Sequence, residues 1–571
     1  MLATHFSKPL FPYLCVDMKY SEIPLAQAIT SACQFYKISK IVISPGSRNA
    51  PLTLGFTNNP YFLNFSIVDE RAAAFFALGM AQQTGKPVAL VCTSGSALLN
   101  YYPAISEAYY SRIPLLILSA DRPKHFIDIG DGQTIRQENV FANHIGYTAN
   151  LTGNENQFSS DKVQIENAIK TCFTESLPVH VNIPLEEPLY NLTEKKLDFS
   201  FVHLNKSDRR EPLENINHFL LDWQQSKRKM LLCGVMPPNR INPKVTEKLA
   251  HDSNLIVLTE TTSNWHHPHF INSIDKLIAP LADDDRNALC PEILLTVGGM
   301  VVSKKIKSFL RNCKSLKHYH VDDTVAYDTF FRLQKHINTD PNFLFDKTNL
   351  PDASDKYSYR DQWLFCKKTH AANHDNYLEI IPFSDLKVFD KIFKNLPKNV
   401  QLQLSNSSTI RYSQLFDLHP DIHVFCNRGT SGIDGSTSTA IGAAVASDRP
   451  TVLITGDLSF FYDSNALWNN YIPKDFVIIL INNAGGGIFR ILPGYEETDN
   501  FAHFFETTHT RNASLFAEMY GFSYLSASDE DTLDTCLQQC FLSFDKPKIL
   551  EIMTPRLRNN KILTNYFESI R

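Results

Sequence analysis

Two polar clusters, each closing an apolar run, hold the residues best suited to chemistry. The stretch from Thr451 to Leu492 opens with Thr451-Val452-Leu453-Ile454-Thr455, whose length and β-branching predict a buried strand. That run breaks into Gly456-Asp457-Leu458-Ser459. A second apolar run, Phe476 to Ile481, ends in Asn482-Asn483, and Gly485-Gly486-Gly487 follows at once. In an open parallel sheet, ligands collect at the carboxyl ends of strands, and both clusters sit at such ends. Asp457 offers a carboxylate oxygen, Asn483 an amide oxygen and Gly485 a carbonyl oxygen. These are hard donors of the kind Mg²⁺ takes beside phosphate oxygens and water. A glycine-rich turn also lets backbone groups approach a diphosphate closely. Either cluster taken singly is equally an ordinary turn between strands.

Similar clusters recur near the start of the chain. Ser44-Pro45-Gly46-Ser47-Arg48 follows a strand-like run, as does Ser119-Ala120-Asp121-Arg122-Pro123. A small polar residue and an arginine at a strand end suit an anionic ligand, or a plain turn. Asp69-Glu70-Arg71 opens a helix, where acidic residues favour the N-terminus. Glu70 lies beside the apolar run Ala72 to Leu78. A carboxyl partly buried there would keep a proton near neutral pH and exchange it with a ring nitrogen. Gln133 sits in a polar loop, with an amide able to orient a bound carbonyl or hydroxyl.

These clusters need rigid elements behind them. Strand-like runs separated by helical stretches fill residues 20 to about 190, with Ile41–Ile43, Phe65–Val68, Val88–Val91, Leu115–Leu118 and Val179–Ile183 as the strands. The helical stretch Glu70 to Gln83 closes on Gly85, near a C-cap position. Near-continuous apolar strands between helices imply a parallel sheet covered on both faces. A polar segment from Asn191 to about Asn215 reads as a linker. A second α/β block then carries Met230–Leu232, Leu255–Leu258 and Ile293–Val297. Residues from about 335 to 380 are charged and weakly periodic, and read as a second long connection. The last block repeats the strand–helix alternation and includes Gln401–Leu404.

The whole chain fits this picture. Its 571 residues predict several domains, and 43% hydrophobic with 20% charged residues is ordinary for a globular protein. A net charge of −5 and a pI near 6.4 give no bulk attraction to nucleic acid or anionic membrane. No apolar run is long enough to span a bilayer, and the start, MLATHFSKPLFPYL, lacks a secretory pattern. The 11 cysteines are scattered; Cys536 and Cys540 share one predicted helix face. Reduced, buried packing thiols and a cytoplasmic location are the expectation.

Taken together, the strings ISPGSRNAPLTL, DERAAAFFALGMA, TSGSALLNYYPA, LSADRP, GQTIRQ, NRGTSGIDGSTSTAIG, TGDLSFFYDSNALW and NNAGGGIFRILPG closely resemble one branch of the thiamine diphosphate enzymes. That branch is the 2-succinyl-5-enolpyruvyl-6-hydroxy-3-cyclohexene-1-carboxylate synthase (MenD) family of menaquinone biosynthesis. The strings run in order from residue 43 to residue 494. The resemblance implies an α/β protein of three domains with parallel sheets in the thiamine diphosphate-binding fold. These would be a pyrimidine-binding domain over 1–190, a central α/β domain with flanking linkers over 191–380, and a diphosphate- and metal-binding domain over 381–571. It implies decarboxylation of 2-oxoglutarate and addition of the succinyl semialdehyde carbanion to isochorismate, with thiamine diphosphate and Mg²⁺ (or Mn²⁺) as cofactors. A homodimer or homotetramer follows from the family, with cofactor contacts drawn from two subunits.

The family's roles fall on particular residues here. Glu70 would pair with the cofactor's aminopyrimidine ring. Asp457, Asn483 and Gly485 would hold the metal and diphosphate, and Ile433 would wedge beneath the bent cofactor. Two dicarboxylate substrates in a water-poor site need fixed cations, preferably forked ones. Arg48, Arg122, Arg411 and Arg428 take those positions, with Ser47, Gln133 and Ser407; Gln133 is also placed with Glu70 among the catalytic residues. Ile488, Phe489 and Leu492 would form an apolar wall, unless they pack in the core. Lys304 and Lys305 occupy the central domain's basic pair, and Lys305 stands where an arginine is common. Leu458 replaces the commoner third glycine of the Gly-Asp motif. No catalytic histidine is evident. Without a strong general acid, the carbanion should persist to attack its acceptor, and succinic semialdehyde should form slowly from 2-oxoglutarate alone.

Overall fold

A computed structural model describes residues 18–204, 211–348, 358–492 and 494–571. The start of the chain, parts of the two expected connections and Cys15 lie outside the described residues. Two compact units emerge. One takes residues up to 74, 86–102 and 114–204; the other takes 75–85, 103–113 and 205–571.

The first unit is built on a six-stranded sheet. Its strands are β2 (Lys40–Ile43), β3 (Leu63–Ser66), β4 (Val88–Cys92), β5 (Leu115–Asp121), β6 (Tyr147–Asn150) and β7 (Val179–Pro184), in the order β3-β2-β4-β5-β7-β6. Every pairing is parallel. β4 and β5 are buried along their whole length, as the unbroken apolar runs require when both faces are covered. Leu25, Ile29, Phe56, Ile165 and Ile169 belong to the core on one face. A short antiparallel pair, β1 (Tyr20–Ser21) with β8 (Leu192–Thr193), ties the segment after the sheet back to its beginning. Phe199, Phe201 and Leu204 also pack on this core, so part of the expected linker is bound structure.

The second unit carries two sheets. The central one has β9 (Lys229–Cys233), β10 (Leu255–Thr259), β11 (Ile293–Val297), β12 (Lys317–Asp322) and β13 (Leu333–Asn338), ordered β10-β9-β11-β12-β13 and all parallel. The other has β14 (Gln401–Leu404), β15 (His423–Cys426), β16 (Thr451–Gly456), β17 (Phe476–Asn482), β18 (Ser523–Ala527) and β19 (Lys548–Met553), ordered β15-β14-β16-β17-β19-β18. It too is parallel throughout.

Small residues explain one close approach in this unit. A Cβ at Gly442 would lie 1.9 Å from Phe76 O, and one at Gly79 would lie 2.0 Å from Thr439 O. The helix Ser436–Val445, written STSTAIGAAV, therefore presses its backbone against residues 75–85. Any larger side chain at either glycine would force the helices apart.

Two expectations need correction. The region from about 335 to 380 is not a bare connection. It holds β13, a helix Pro341–Lys347 and a 22-residue helix Tyr359–Ile380, started by a reciprocal Ser358–Asp361 cap. The long helix buries Tyr359, Trp363, His370, His374 and Leu378. Two histidines in that narrow stripe mask its apolar period. The cysteines are not all thiols either: Cys290 and Cys313 form a disulfide, because the ends of two neighbouring segments bring them together. Of the other described cysteines all but Cys366 are buried, Cys536 and Cys540 on one helix. Among the described residues no helix is long and apolar enough to cross a membrane.

Candidate functional site

In the first unit the candidate residues follow the carboxyl ends of β2, β3 and β5. Ser47 is exposed and Arg48 buried. Arg48 donates through Nη1 to Leu185 O (2.9 Å) and through Nη2 to Glu187 Oε1 (3.0 Å). Burial lowers its pKa, and the Arg122 charge lowers it further. Two guanidiniums are thus held near each other, with Asp131 lying 3.8 Å from Arg122 Nη1. The Nε atoms of both arginines are buried without a hydrogen-bond partner among the described residues. Such unsatisfied donors suit an incoming carboxylate.

Glu70 starts the helix Glu70–Thr84 and is half-buried. Its Oε2 lies 3.5 Å from Asn100 Nδ2. Gln133 is exposed and has φ +55°, in the left-handed region. The buried amide of this loop is Gln137 instead. It accepts from Gly95 N–H (2.9 Å) and donates to Ala120 O (3.2 Å) and Asn182 Oδ1 (2.9 Å). Asn182 in turn donates to Asp121 Oδ2 (2.8 Å), whose Oδ1 accepts from Arg122 N–H (2.8 Å). This buried network fixes the strand ends and the Arg122 backbone. The sequence gives no sign of it, since its members are scattered from Gly95 to Asn182.

In the second unit the Gly-Asp and Asn-Asn clusters come together. Asp457 starts a short helix after β16, and Gly485 N–H donates to its Oδ2 (2.9 Å). Asn483 donates through Nδ2 to Asp385 Oδ2 (3.0 Å). Asp385 is fully buried, which pushes its pKa up to about 6. That contact turns the amide so that Asn483 Oδ1 faces away, buried and without a partner among the described residues. A carboxylate, an unsatisfied amide oxygen and a tight turn at Gly485, with φ +148°, form an oxygen-rich corner fit for a hard cation. Glu506 O would lie 2.7 Å from any Cβ at Gly485, so only glycine fits.

Beside it, the loop Asn427 to Gly435 carries Arg428 and Ile433. Arg428 Nη1 donates to Asn406 Oδ1 (2.6 Å), and its Nε is buried and unpaired among the described residues. The Ile433 carbonyl accepts from Ser459 Oγ (3.0 Å), and its side chain is half-buried. Glu107, almost fully buried, fastens the loop. It accepts from Gly429 N–H (2.7 Å), Thr430 N–H (2.6 Å), Thr430 Oγ1 (2.9 Å) and Ser111 Oγ (2.6 Å). No pattern near Glu107 advertised that role.

Ser407 has φ +69° and begins the helix bearing Arg411. A cavity of about 230 Å³ is lined by Asp275, Lys304, Lys305, Ser408, Arg411 and Ile491, among others. Desolvation and then the Arg428 charge lower the Arg411 pKa. Burial raises that of Asp275, against the opposing effect of a Ser303 hydroxyl bond and the Lys305 and Arg411 charges. Lys305 is half-buried, with Nζ 4.1 Å from the centre of the Phe567 ring. It is therefore no ordinary surface lysine, whereas Lys304 is exposed. Ile488 and Phe489 are half-buried and Leu492 is exposed at 44%, so none of the three is a core residue.

Residues 23–144 match the thiamine pyrophosphate enzyme N-terminal TPP-binding domain, and residues 407–552 match the C-terminal TPP-binding domain. A benzoylformate decarboxylase from Polynucleobacter necessarius shares the fold, with a TM-score of 0.67 over 93% of this chain and 98% of that one at 15% identity. The chain is a thiamine pyrophosphate enzyme. Full-length relatives place it further: proteins of Flavobacterium psychrophilum (54% identical, 97% of this chain, 100% of theirs), Christiangramia forsetii (49%, 97% and 100%) and Porphyromonas gingivalis (35%, 97% and 98%) are each named 2-succinyl-5-enolpyruvyl-6-hydroxy-3-cyclohexene-1-carboxylate synthase. The chain belongs to that synthase family.

Proposed function

We propose that this enzyme decarboxylates 2-oxoglutarate and joins the remaining four-carbon unit to isochorismate, in menaquinone biosynthesis. The observation that carries the substrate reading is the cavity lined by Lys304, Lys305 and Arg411, near Arg428, whose Nε has no hydrogen-bond partner among the described residues. Several fixed cations in a poorly hydrated site suit two dicarboxylates and are superfluous for a neutral aldehyde donor. Ser47, Arg48, Arg122, Gln133 and Ser407 complete the set of proposed substrate contacts, with Ile488, Phe489 and Leu492 as the apolar wall.

Thiamine diphosphate, when bound, supplies the carbon nucleophile and the electron sink. Asp457, the free Oδ1 of Asn483 and the Gly485 carbonyl would hold Mg²⁺ or Mn²⁺ against its diphosphate. Glu70 would hold a proton at the pyrimidine ring nitrogen and take it back. Ile433 would support the bend of the cofactor. The arginines orient carboxylates so that reacting atoms meet, which is where much of the rate gain arises. Domain limits of 1–190, 191–380 and 381–571, a cytoplasmic location, and a homodimer or homotetramer belong to the same reading.

The test is an assay with isochorismate, 2-oxoglutarate, thiamine diphosphate and Mg²⁺, omitting each in turn. Product should require all four. Turnover with pyruvate matching that with 2-oxoglutarate would overturn the substrate reading and favour an acetolactate synthase or another 2-oxoacid decarboxylase. A Glu70→Gln protein that binds cofactor with full activity would overturn the role of Glu70.

A further inference from the structure

A histidine that the proposed ligand set does not use lies against Asp457, the proposed metal ligand. His509 Nε2 lies 3.2 Å from Asp457 Oδ2, and both side chains are nearly buried, at 3% and 4% exposure. The other ring nitrogen, Nδ1, accepts from Arg511 N–H (3.1 Å). An imidazole that accepts at Nδ1 carries its proton at Nε2 when neutral. That proton lies beside the Asp457 carboxylate at ion-pair distance but off the line of a hydrogen bond, so Nε2 has no hydrogen-bond partner among the described residues. The ring is held edge-on to Phe461, with centroids 5.4 Å apart and planes at 90°.

The backbone around His509 frames the same turn. His509 N–H donates to Ala484 O (3.3 Å), and Gly486 N–H donates to Glu506 O (2.6 Å). The Glu506 carboxylate is fully buried between Arg490 and Arg556, at 2.5 and 2.6 Å. Residues 506–509 are thereby anchored across residues 484–486. Asp457 Oδ1 accepts from Leu458 N–H (2.7 Å) and Oδ2 from Gly485 N–H (2.9 Å). A carboxylate shared among several donors has its orientation set by them, and such outer contacts tune the affinity of a ligand for its metal.

We infer that His509 is a positioning residue, whose Nε2–H edge, packed against the Asp457 carboxylate, sets that carboxylate's orientation toward a divalent cation. The inference rests on the reading of Asp457 as a metal ligand. The imidazole itself stays off the cation while Nδ1 is engaged by Arg511. Its effect should appear in cation affinity before it appears in turnover.

The experiment titrates Mg²⁺ into the full-length protein at fixed thiamine diphosphate, following cofactor binding by calorimetry, with Mn²⁺ resonance spectra as a second readout. His509→Gln keeps a donor near the Nε2 position, whereas His509→Asn and His509→Phe do not. The expected result is a 10- to 100-fold loss of Mg²⁺ affinity in the Asn and Phe variants, of the order seen when outer-shell partners are removed, with recovery of most of it in the Gln variant. Melting temperatures of the metal-free proteins separate this from misfolding: the Asn and Gln variants should melt together yet differ in Mg²⁺ affinity. Equal affinities across wild type and all three variants would overturn the role of His509 and leave the metal site intact. Cofactor binding by the wild type that ignores divalent cations would instead overturn the metal reading, and this inference with it.

Discussion

The sheet of β2–β7 and the sheet of β14–β19 are one topology used twice. Numbering the strands of each in chain order, both run 2-1-3-4-6-5. Their functional candidates sit at matching addresses. After the first strand come Ser47 and Arg48 in one and Ser407 and Arg411 in the other. After the second come Glu70 and Arg428; after the third, Thr93-Ser94-Gly95 and Asp457; after the fourth, Arg122 and the Asn483–Gly485 turn. The fourth positions are opposite in character: a guanidinium in one sheet, oxygen donors in the other. Topology fixes where a loop can meet a ligand, and side chains decide what the loop holds. The central sheet is the outside reference. It has five strands, and its polar interior is a histidine cluster: Thr296 Oγ1 bonds His318 Nε2 (2.9 Å) and His320 Nδ1 (2.8 Å).

The largest effect should separate the two six-stranded sheets. Glu70→Gln removes a titratable proton while keeping shape, so kcat should fall about 10²- to 10⁴-fold, the usual range for a general acid–base group. Cofactor affinity, assigned to the Asp457 and Asn483 ends, should move by only a few fold. If calorimetry shows binding lost together with turnover, the division of labour between the sheets fails. The central sheet should answer to acid rather than to cofactor. Burial, reinforced by neighbouring histidines, lowers the pKa of His318 and of His320 to about 4. Between the unfolded value of about 6.5 and pH 4, the unfolded chain binds more protons than the folded one, so stability is lost as pH falls through that window. A shift of this size in one such histidine corresponds to about 3 kcal/mol by pH 4. Urea midpoints should be flat from pH 7 to 8 and drop below pH 6, and a His320→Asn variant should show a shallower drop.

Glu107 complicates any boundary drawn along the chain. It lies in the sequence between β4 and β5, yet residues 103–113 belong to the second compact unit, where its carboxylate anchors the Arg428 loop. Glu107→Gln places an amide group against backbone N–H donors. It should destabilise the protein by about 2–3 kcal/mol, read as a lower urea midpoint, and loosen Arg428. An unchanged midpoint would mean the loop is held otherwise.

What could be read from the sequence follows from range. Strands in all three sheets were visible where a buried parallel strand is a short unbroken apolar run, and Asp457 and Asn483 were visible because they close such runs; β6, β12, β13, β15, β18 and β19 were not read as strands, since polar residues interrupt or shorten their apolar runs. The identical strand order of the two outer sheets left no mark, since order depends on which strands pair and not on their residues. Glu107, Gln137 and His509 were silent for a related reason. Each is a single polar residue whose partners lie far along the chain, such as Asp457 for His509. The helix Tyr359–Ile380 was hidden by its buried histidines, and Cys290 and Cys313 by a pairing that only the fold supplies.

The matched first-strand arginines give the next test. Arg411→Met removes a cation from the cavity and should lower kcat/KM by about 10- to 100-fold, the worth of one or two charge-assisted hydrogen bonds. Arg48→Met should have the smaller effect, because Arg48 already serves Leu185 O and Glu187. Steady-state kinetics with each substrate varied would rank them, and a reversed ranking would shift the anion site toward the first sheet.

The smallest effect is expected at Lys305. Its ammonium sits over Phe567, and burial lowers its pKa, partly offset by Asp275. A cation over an aromatic face contributes about 0.5–2 kcal/mol depending on hydration, and guanidinium can occupy the same position. Lys305→Arg should therefore change kcat/KM by less than about 5-fold. Lys305→Met separates two roles that Lys305→Arg cannot. If the lysine mainly packs on Phe567, the methionine variant loses stability and keeps its KM. If it mainly holds substrate charge, KM for the acidic substrates rises while the urea midpoint stays within error. The position of Asp275 favours the second outcome: with Lys305 neutralised, its charge lies uncompensated except by Arg411 and repels an incoming carboxylate.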